Sequence, residues 1–256
     1  MPNDRTYPNS GLHGHVVYQI GRQIVSGQIA VGSDLPREVE LQERFGTSRQ
    51  AIREAIKVLA AKGLIEPRRR RGTRIRPRDS WNLLDPDVLM WHAPDGFGPA
   101  FLADLLELRS TIEPAAAELA ARRGDAPRIA ELGAAIEDMR LAGRDPTKFY
   151  DADIRFHIGL LLASGNSLFA QLATSVRAAL TASFRLQERI GGPQENGYAI
   201  HAAVYHAIVA GDTARARAAM AFVIEAAAIE LRPVMAPASD PQTGNQSELR
   251  ILSDIY

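Results

Sequence analysis

The sequence predicts a mainly α-helical protein made of two domains with different chemistry, and three observations support that prediction. The 256 residues are 46% apolar, so the chain can bury a sizeable core, and its length suits two modest domains. Apolar residues recur at intervals of three and four over most of the chain, which is the spacing of one helix face. Residues 1–78 hold 15 Lys and Arg against 7 Asp and Glu, whereas residues 79–256 hold 15 against 23. This division indicates a basic module for a polyanion, joined to an acidic module with another role.

The composition excludes several classes of site. The chain has no cysteine, which excludes disulfides, cysteine-based zinc fingers, thiolate catalysis and cysteine-ligated iron-sulfur clusters and leaves His, Asp and Glu as the strong metal ligands. The N-terminal stretch MPNDRTYPNS lacks the apolar segment of a signal peptide, and apolar runs such as Leu160–Ala163 are too short to cross a bilayer. We therefore expect a soluble, cytoplasmic protein with no membrane partner.

Two helices are predicted at the start of the basic module. Val16, Ile20 and Ile24 are spaced four apart and define a first helix of about residues 13–26, followed by a glycine that ends it. A short second helix follows within Pro36–Gly46, since proline suits a first helical turn and glycine suits the position after the last one.

A third helix is predicted from a cap at Thr47 or Ser48 to about Ala61. Its apolar residues form one inward stripe, and three cations spaced four residues apart line another face; these are Arg49, Arg53 and Lys57. Such a row of cations is typical of a helix that lies against nucleic acid, although it also serves simply to keep an exposed face solvated.

The segment LIEPRRRRGTRIRPR, residues 64–78, predicts a β-hairpin with a basic turn at Arg70–Gly72. Three helices followed by a basic hairpin form the plan of a winged helix-turn-helix, in which the third helix enters the major groove of double-stranded DNA. We assign this domain to residues 1–77.

Candidate DNA-binding residues follow from this plan. Arginine suits the work because its planar fork can bridge two acceptors on guanine or grip a phosphate. Arg49 and Arg53 are the candidates on the third helix, and Ser48 and Gln50 can donate to phosphates or bases. Arg71 and Gly72 are expected at the tip of the wing. The glycine has no side chain there, which permits a close approach to the sugar-phosphate backbone.

The stretch LPREVELQERFGTSRQAIREAIKVLAAKGLIEPRRRRGT, from Leu35 to Thr73, resembles the DNA-binding domain of the GntR family of bacterial transcription regulators. The resemblance implies that the DNA is an operator. One position departs from the family pattern, because many members carry an arginine that helps to hold DNA where this chain has Val39. Arg37, two residues earlier, is the candidate to supply a phosphate contact instead.

The rest of the chain predicts a connector, a helical bundle and a tail. Residues 78–98 form the connector, with one short helix around residues 87–91. The bundle, residues 99–233, contains six helical patterns and no credible strand; the helices span about 100–123, 126–143, 147–164, 167–190, 195–210 and 213–231. The polar segment 234–256 predicts a disordered tail.

The stretch DADIRFH at residues 151–157 places Asp153 and His157 on one helix face, since they are four residues apart, whereas Asp151 points elsewhere. An aspartate and a histidine on consecutive turns can chelate a divalent cation inside a bundle. The simpler alternative is a partly buried hydrogen bond between the two side chains.

The bundle resembles the FCD ligand-sensing domain of the FadR branch of the GntR family over about residues 100–232. Four segments carry the resemblance, ELRSTIEP at 107–114, DIRFH at 153–157, SGN at 164–166 and HAAVYHAIVAGD at 201–212. It implies that Asp153, His157 and His201 bind one divalent metal ion such as Zn²⁺, Ni²⁺ or Mn²⁺, which in turn holds a small carboxylate metabolite. The fourth ligand position of the family falls at Val223, so water and the metabolite would have to complete the shell.

Arg109 is a further effector-binding candidate, because a guanidinium that points into a bundle is costly unless it meets an anion. The resemblance implies that this arginine faces the metabolite carboxylate. The alternative is an intrahelical ion pair with Glu113, four residues on.

The connector WNLLDPDVLMW, residues 81–91, is similar to that of the sugar-acid regulators of this family, which govern galactonate catabolism and related routes. We therefore expect a homodimeric repressor that reads a palindromic operator and is released by a hexonate or another sugar acid. The connector is the candidate hinge. Two alternatives stay open, a metal-dependent enzyme using Asp153, His157 and His201 with a basic nucleic-acid-binding appendage, and an architectural DNA binder without an effector.

Overall fold

The computed structural model describes residues 11–69, 71–92, 98–190 and 197–235. Within these ranges the chain forms ten α-helices, three short strands and one 3₁₀ turn at Arg78–Ser80. The strands are β1 (Asp34–Leu35), β2 (Ile65–Arg68) and β3 (Gly72–Ile75). The helices are α1 (Gly11–Val25), α2 (Glu38–Phe45), α3 (Arg49–Ala61), α4 (Pro86–His92), α5 (Pro99–Arg123), α6 (Ala126–Ala142), α7 (Pro146–Ala163), α8 (Ser167–Ile190), α9 (Gly197–Val209) and α10 (Thr213–Met235). The mainly α fold class with a small wing is confirmed.

Helices α1, α2 and α3 pack around one apolar core. Ile52, Ala55 and Leu59 of α3 are fully buried, as the predicted stripe requires, and they meet Ile20 of α1. Ser48 begins α3, and its Oγ accepts a hydrogen bond from the backbone N–H of Ala51 at 3.2 Å. This bond satisfies one of the N–H groups that the first turn leaves without a helical partner.

The wing is a three-stranded antiparallel sheet in the order β1-β3-β2. The predicted hairpin is present, with Ile65 opposite Ile75. Strand β1 is an addition that the sequence analysis missed; it pairs Asp34 with Arg74. Two residues are too short to show an alternating pattern, so only the approach of the loop after α1 creates this strand.

The connector packs against both neighbours. Trp81, Leu89 and Trp91 are buried in this segment. Gly21 of α1 lies against the Trp91 ring so closely that an added Cβ would come within 2.5 Å of it. On the other side, Ser175 Oγ of α8 donates to the Leu84 carbonyl at 3.1 Å. The described part of the connector therefore joins the wing domain to the bundle as a packed element.

A buried ion-pair cluster ties the end of α3 to the connector. Lys62 Nζ lies 2.8 Å from Asp85 Oδ1 and 2.5 Å from Asp87 Oδ2, and all three side chains are largely buried. Asp85 Oδ1 also accepts hydrogen bonds from the backbone N–H groups of Asp87 and Val88, at the start of α4. The same carboxylate thus caps one helix and pairs with the residue that ends another.

Helices α5–α10 form the second domain around a core that includes Leu132, Phe156 and Leu160. Helix α5 lies along α10, and α7 lies between α6 and α8. Between residues 98 and 190 and from 197 to 235 there is no strand. Helix α10 continues to Met235, two residues into the segment predicted as tail. The rest of that segment, together with residues 93–97 of the connector and Arg70 of the wing, lies outside the described residues.

None of the described helices is both long enough and apolar enough to cross a membrane.

Candidate nucleic-acid interface and candidate metal centre

The outer face of α3 carries the predicted cations. Arg49, Arg53 and Lys57 have side chains that are 63%, 54% and 70% exposed. They lie on the face opposite the buried stripe, as the four-residue spacing requires. This face is therefore free of the domain core and open to a ligand along its length.

A carboxylate bridges two of these cations. Glu38, in the first turn of α2, receives a hydrogen bond from Arg49 Nε at 2.9 Å and others from Arg53 Nε at 3.1 and 3.2 Å. The hydrogen bond from Arg49, with that from Arg53, lowers the pKa of the Glu38 carboxyl although partial desolvation opposes this. Glu38 was not predicted to take part in this face, because it lies 11 and 15 positions along the chain from its partners.

The remaining DNA-binding candidates are also on the surface. Arg37, Gln50 and Arg71 are exposed, as are Ser48 and Gly72. The Ser48 side chain already accepts one bond as the cap of α3, and its hydroxyl still has a proton to donate. Gly72 has a φ of 87°, a left-handed conformation that glycine adopts without strain at the tip of the wing.

The second site lies among α5, α7, α9 and α10. Helix α7 supplies Asp153 and His157, and α9 supplies His201. The Asp153 Oδ1, His157 Nε2 and His201 Nε2 atoms are 3.0 to 3.5 Å apart in pairs. A metal with ligand bonds of about 2.0–2.2 Å holds neighbouring donor atoms roughly 3.0–3.5 Å apart. The three donors therefore fit one face of a metal coordination shell.

Both imidazoles are oriented by hydrogen bonds at their other nitrogen. His157 Nδ1 lies 2.5 Å from Glu113 Oε2, and His201 Nδ1 lies 2.7 Å from the Gly197 carbonyl oxygen. Each contact engages Nδ1 as a donor and leaves Nε2 toward Asp153. Metal-binding histidines are commonly held this way, by a carboxylate or a backbone carbonyl on the far side of the ring.

Arg109 forms the intrahelical ion pair, and it also lines the cavity beside the metal candidates. Its Nε donates to Glu113 Oε1 at 2.7 Å, which is the intrahelical pair. Its Nη2 also lies 3.5 Å from the ring nitrogens of His157, and the residue lines the cavity beside the metal candidates. Arg109 is only 2% exposed. A guanidinium so deeply buried, with one carboxylate partner, has N–H groups left for a further anion.

Opposite charges dominate the electrostatics of this cluster. Burial favours the neutral form of Glu113, yet Arg109 and His157 outweigh it and lower the pKa of that carboxyl to about 2. Burial also disfavours the imidazolium of His157, but Glu113 and Asp153 raise the pKa of His157 to about 9. Despite burial, the pKa of Asp153 is lowered by His157 and His201. A metal ion at His157 would have to displace a proton, so metal binding and protonation compete there.

The cavity beside these groups is small and partly open to solvent. Its polar wall includes Arg109, Ser183 and Glu230, and its apolar wall includes Val223. His206, five residues after His201, is exposed and lies away from the cluster. A lining that combines the Arg109 guanidinium with polar and apolar side chains suits a small organic anion.

Glu113 is the main feature of this site that the sequence analysis undervalued. It was considered only as an alternative partner of Arg109, whereas in the structure it is fully buried and contacts both Arg109 and His157. The spacing of four from Arg109 indicated the first contact. No local signal could indicate the second, because 44 residues separate Glu113 from His157.

Two family models match the chain. The model described as bacterial regulatory proteins of the gntR family matches residues 12–75, and the FCD domain model matches residues 104–226. The first range includes α1, α2, α3 and the wing. The second includes Arg109, Asp153, His157, His201 and Val223.

The chain is also similar to individual proteins. The galactonate operon transcriptional repressor of Escherichia coli (strain K12) is 39% identical over 169 residues, which cover 66% of this chain and 74% of that protein. The transcriptional regulator LutR of Bacillus subtilis (strain 168) is 29% identical over 77% of this chain and 90% of that protein. A solved structure of Lar, described as controlling expression of the Listeria monocytogenes agr system, has a TM-score of 0.63 at 17% identity, with 89% of this chain and 100% of that chain covered. That last likeness concerns the fold.

Proposed function

Since the chain belongs to the GntR family of bacterial transcription regulators and carries the FCD domain of its FadR branch, we propose that it represses a sugar-acid catabolic operon and is released by its carboxylate effector. The observation that carries this proposal is the combination in one chain of an exposed cationic helix with a buried cluster of Arg109, Asp153, His157 and His201. The enzyme alternative is not supported, because the matched families and relatives are transcription regulators.

We assign operator recognition to α3 and the wing, within a winged helix-turn-helix domain of residues 1–77. We assign Arg49 and Arg53 to base edges and Arg37 and the wing-tip Arg71 to phosphates, and all four side chains are exposed. The regulator acts as a homodimer, since two copies of α3 related by a two-fold axis would read the two halves of a palindrome.

We assign effector sensing to the cavity of the FCD domain, here residues 99–233. Asp153, His157 and His201 would hold one divalent ion, and that ion would supply a strong positive centre for a carboxylate. Arg109 offers a second cationic contact from α5, next to the histidines. An effector bound by these groups favours the arrangement of the dimer to which it binds most tightly. The connector transmits this change of arrangement to the wing domains.

The effector class follows from a relative and from the cavity. The E. coli relative is named for the galactonate operon, and galactonate is a polyhydroxy carboxylate. In this chain the polar lining from Ser183 and Glu230 offers partners for hydroxyl groups beside the cationic contact for the carboxylate. A hexonate satisfies both requirements, and we propose one as the effector.

The proposal is tested by titrating a protein–DNA complex with sugar acids. The duplex is selected by the protein from random-sequence DNA, and release is followed by fluorescence anisotropy as galactonate, gluconate or uncharged galactose is added. We expect at least one hexonate, but not galactose, to release the DNA at micromolar to millimolar concentration. Chemical conversion of the sugar acid would support the enzyme instead, and a complex indifferent to every acid would support an architectural binder.

Replacing Arg49 with alanine is expected to weaken binding to the selected duplex by about 1–3 kcal/mol, which is roughly 5- to 150-fold. The cause is loss of a guanidinium that can bridge two acceptors on one base. Anisotropy titration measures the loss, and circular dichroism should show an unchanged helical content because the side chain is 63% exposed. Unchanged affinity would remove Arg49 from the interface.

Replacing Val223 with histidine is expected to tighten Zn²⁺ binding by about tenfold or more, because it adds an imidazole where the family has its fourth ligand. Val223 is buried and lines the cavity with the other three candidates. Competition with a chromophoric chelator measures the affinity. Val223→Phe is the control, with similar bulk and no ligand nitrogen, and equal affinities of the two variants would contradict the assignment.

A further inference from the structure

The bridge between Glu38 and the two arginines of α3 is the starting observation. Both arginines reach the carboxylate through Nε, Arg49 at 2.9 Å and Arg53 at 3.1 and 3.2 Å. Glu38 itself is anchored in the first turn of α2, which packs against α3. One residue outside α3 therefore holds two side chains that α3 presents to solvent.

This geometry has a consequence for how the guanidinium groups can bind. The group is planar and carries five N–H donors, of which the Nε–H is the one directed at Glu38. The two Nη groups of each arginine remain available, and they form the end of the fork that bridges the O6 and N7 acceptors of guanine. Fixing Nε restricts the rotation of the fork before DNA arrives, so less conformational entropy is lost on binding.

The carboxylate also changes the charge that the helix presents. Two arginines alone would attract any phosphate backbone, and that attraction carries no sequence information. The negative charge of Glu38 offsets one of the two arginine charges and so weakens nonspecific binding to DNA. A carboxylate on a surface that binds DNA lowers the affinity for every DNA sequence. It increases specificity if it lowers the affinity for nonspecific sequences more than the affinity for the operator.

We propose that Glu38 is a positioning residue that sets the operator specificity of this regulator by holding Arg49 and Arg53 for base contacts and by reducing their attraction for phosphates. The inference rests on the proposed function, in which α3 reads the operator. A negative residue in the first turn of α2 would also favour that helix through its dipole. That role requires neither arginine, and so the two roles predict different behaviour in variants.

The test compares two substitutions at position 38 with a matched control. Glu38→Gln removes the charge and the ionic bridge. Glu38→Asp keeps the charge and the acidic first turn of α2, but its shorter side chain cannot span to both arginines. Glu54→Gln is the control, because Glu54 lies on α3 and pairs with Lys57 at 2.7 Å, so it removes the same charge close by without touching either arginine.

The measured quantity is the ratio of affinities for the selected duplex and for a scrambled duplex of equal length, at several salt concentrations. We expect Glu38→Gln and Glu38→Asp to lower this ratio by about tenfold or more. Glu38→Gln should also steepen the dependence of log affinity on log salt by roughly 0.9, as expected for one more effective charge. Glu54→Gln should show that steeper dependence while its ratio stays that of the parent protein.

A second measurement follows the bridge without DNA. In the free protein, NMR should show slowly exchanging Nε–H signals from Arg49 and Arg53, assigned through Arg49→Lys and Arg53→Lys. Their loss in the position 38 variants should accompany the fall in the affinity ratio. A variant that loses the signals and keeps the ratio, or a fall in the ratio equal in Glu54→Gln, overturns the proposal. A parent protein that selects no duplex refutes the proposed function instead, which is a separate outcome.

Discussion

Replacing Arg109 with glutamine is expected to produce a regulator that binds its operator normally but no longer responds to its effector. Arg109 is buried in the FCD domain, far along the chain from α3, and it lines the cavity that we assign to the carboxylate. A hydrogen-bonded ionic contact of this kind contributes about 2–3 kcal/mol. The effector concentration that releases half of the DNA should therefore rise roughly 30- to 150-fold. Anisotropy titration of the preformed complex measures that concentration.

The matched control is Arg155→Gln. Arg155 is on α7, one turn from Asp151 and next to Asp138, but its side chain is half-exposed and lies outside the cavity. This control removes one arginine from the same bundle and should leave the half-release concentration unchanged. Arg109 also pairs with Glu113, so its replacement could unfold the bundle. Thermal unfolding of both variants and the parent protein tests whether the bundle stays folded. Normal release of DNA from the Arg109 variant would remove that residue from the effector site.

Replacing Lys62 with methionine is expected to destabilise the protein by about 3–5 kcal/mol. Methionine matches the length of the lysine stem but removes the ammonium group that Asp85 and Asp87 share in a largely buried position. A buried carboxylate that loses its cation is costly because the remaining hydrogen bonds, such as those from the backbone to Asp85, replace the lost solvation only in part. Urea denaturation followed by circular dichroism measures the free energy of unfolding.

Two comparisons isolate the buried charge as the cause. Lys57→Met breaks an exposed pair with Glu54 and should leave the free energy of unfolding nearly unchanged, because solvent screens that pair. The triple variant Lys62→Met/Asp85→Asn/Asp87→Asn removes all three charges. Its amide oxygen at position 85 can still cap α4, so most of the lost stability should return. A Lys62→Met variant as stable as Lys57→Met would contradict the role of the cluster.

The fold was accessible from the sequence because its signals are local. The third helix was predicted from a cap at residue 47 or 48 to about 61, and α3 spans Arg49–Ala61. Its buried stripe follows from the helical period alone. Strand β1 escaped prediction since its two residues form a strand only by pairing with β3, which lies some 40 residues further along.

The residues of the two sites also divide into those predicted from local spacing and those brought together only by the fold. Asp153 and His157 could be placed together by their spacing of four, and the resemblance to the FCD domain added His201 and Arg109. Whether they bind metal and effector stays a prediction. The bridge from Glu38, the contact between Glu113 and His157 and the cluster at Lys62 join residues that lie 11 to 44 positions apart, and no periodic pattern connects such partners.

The sequence by itself determined the helices, the basic wing domain, the family and hence the class of regulator, because these depend on residue type and spacing along one element. Only the tertiary structure decided which carboxylate faces which cation. Packing brings Glu38 to Arg49, Glu113 to His157 and Asp85 to Lys62 at 2.9, 2.5 and 2.8 Å. The interaction energy of two charged groups depends on the distance between them in space. For groups on different elements, the separation along the chain does not determine that distance.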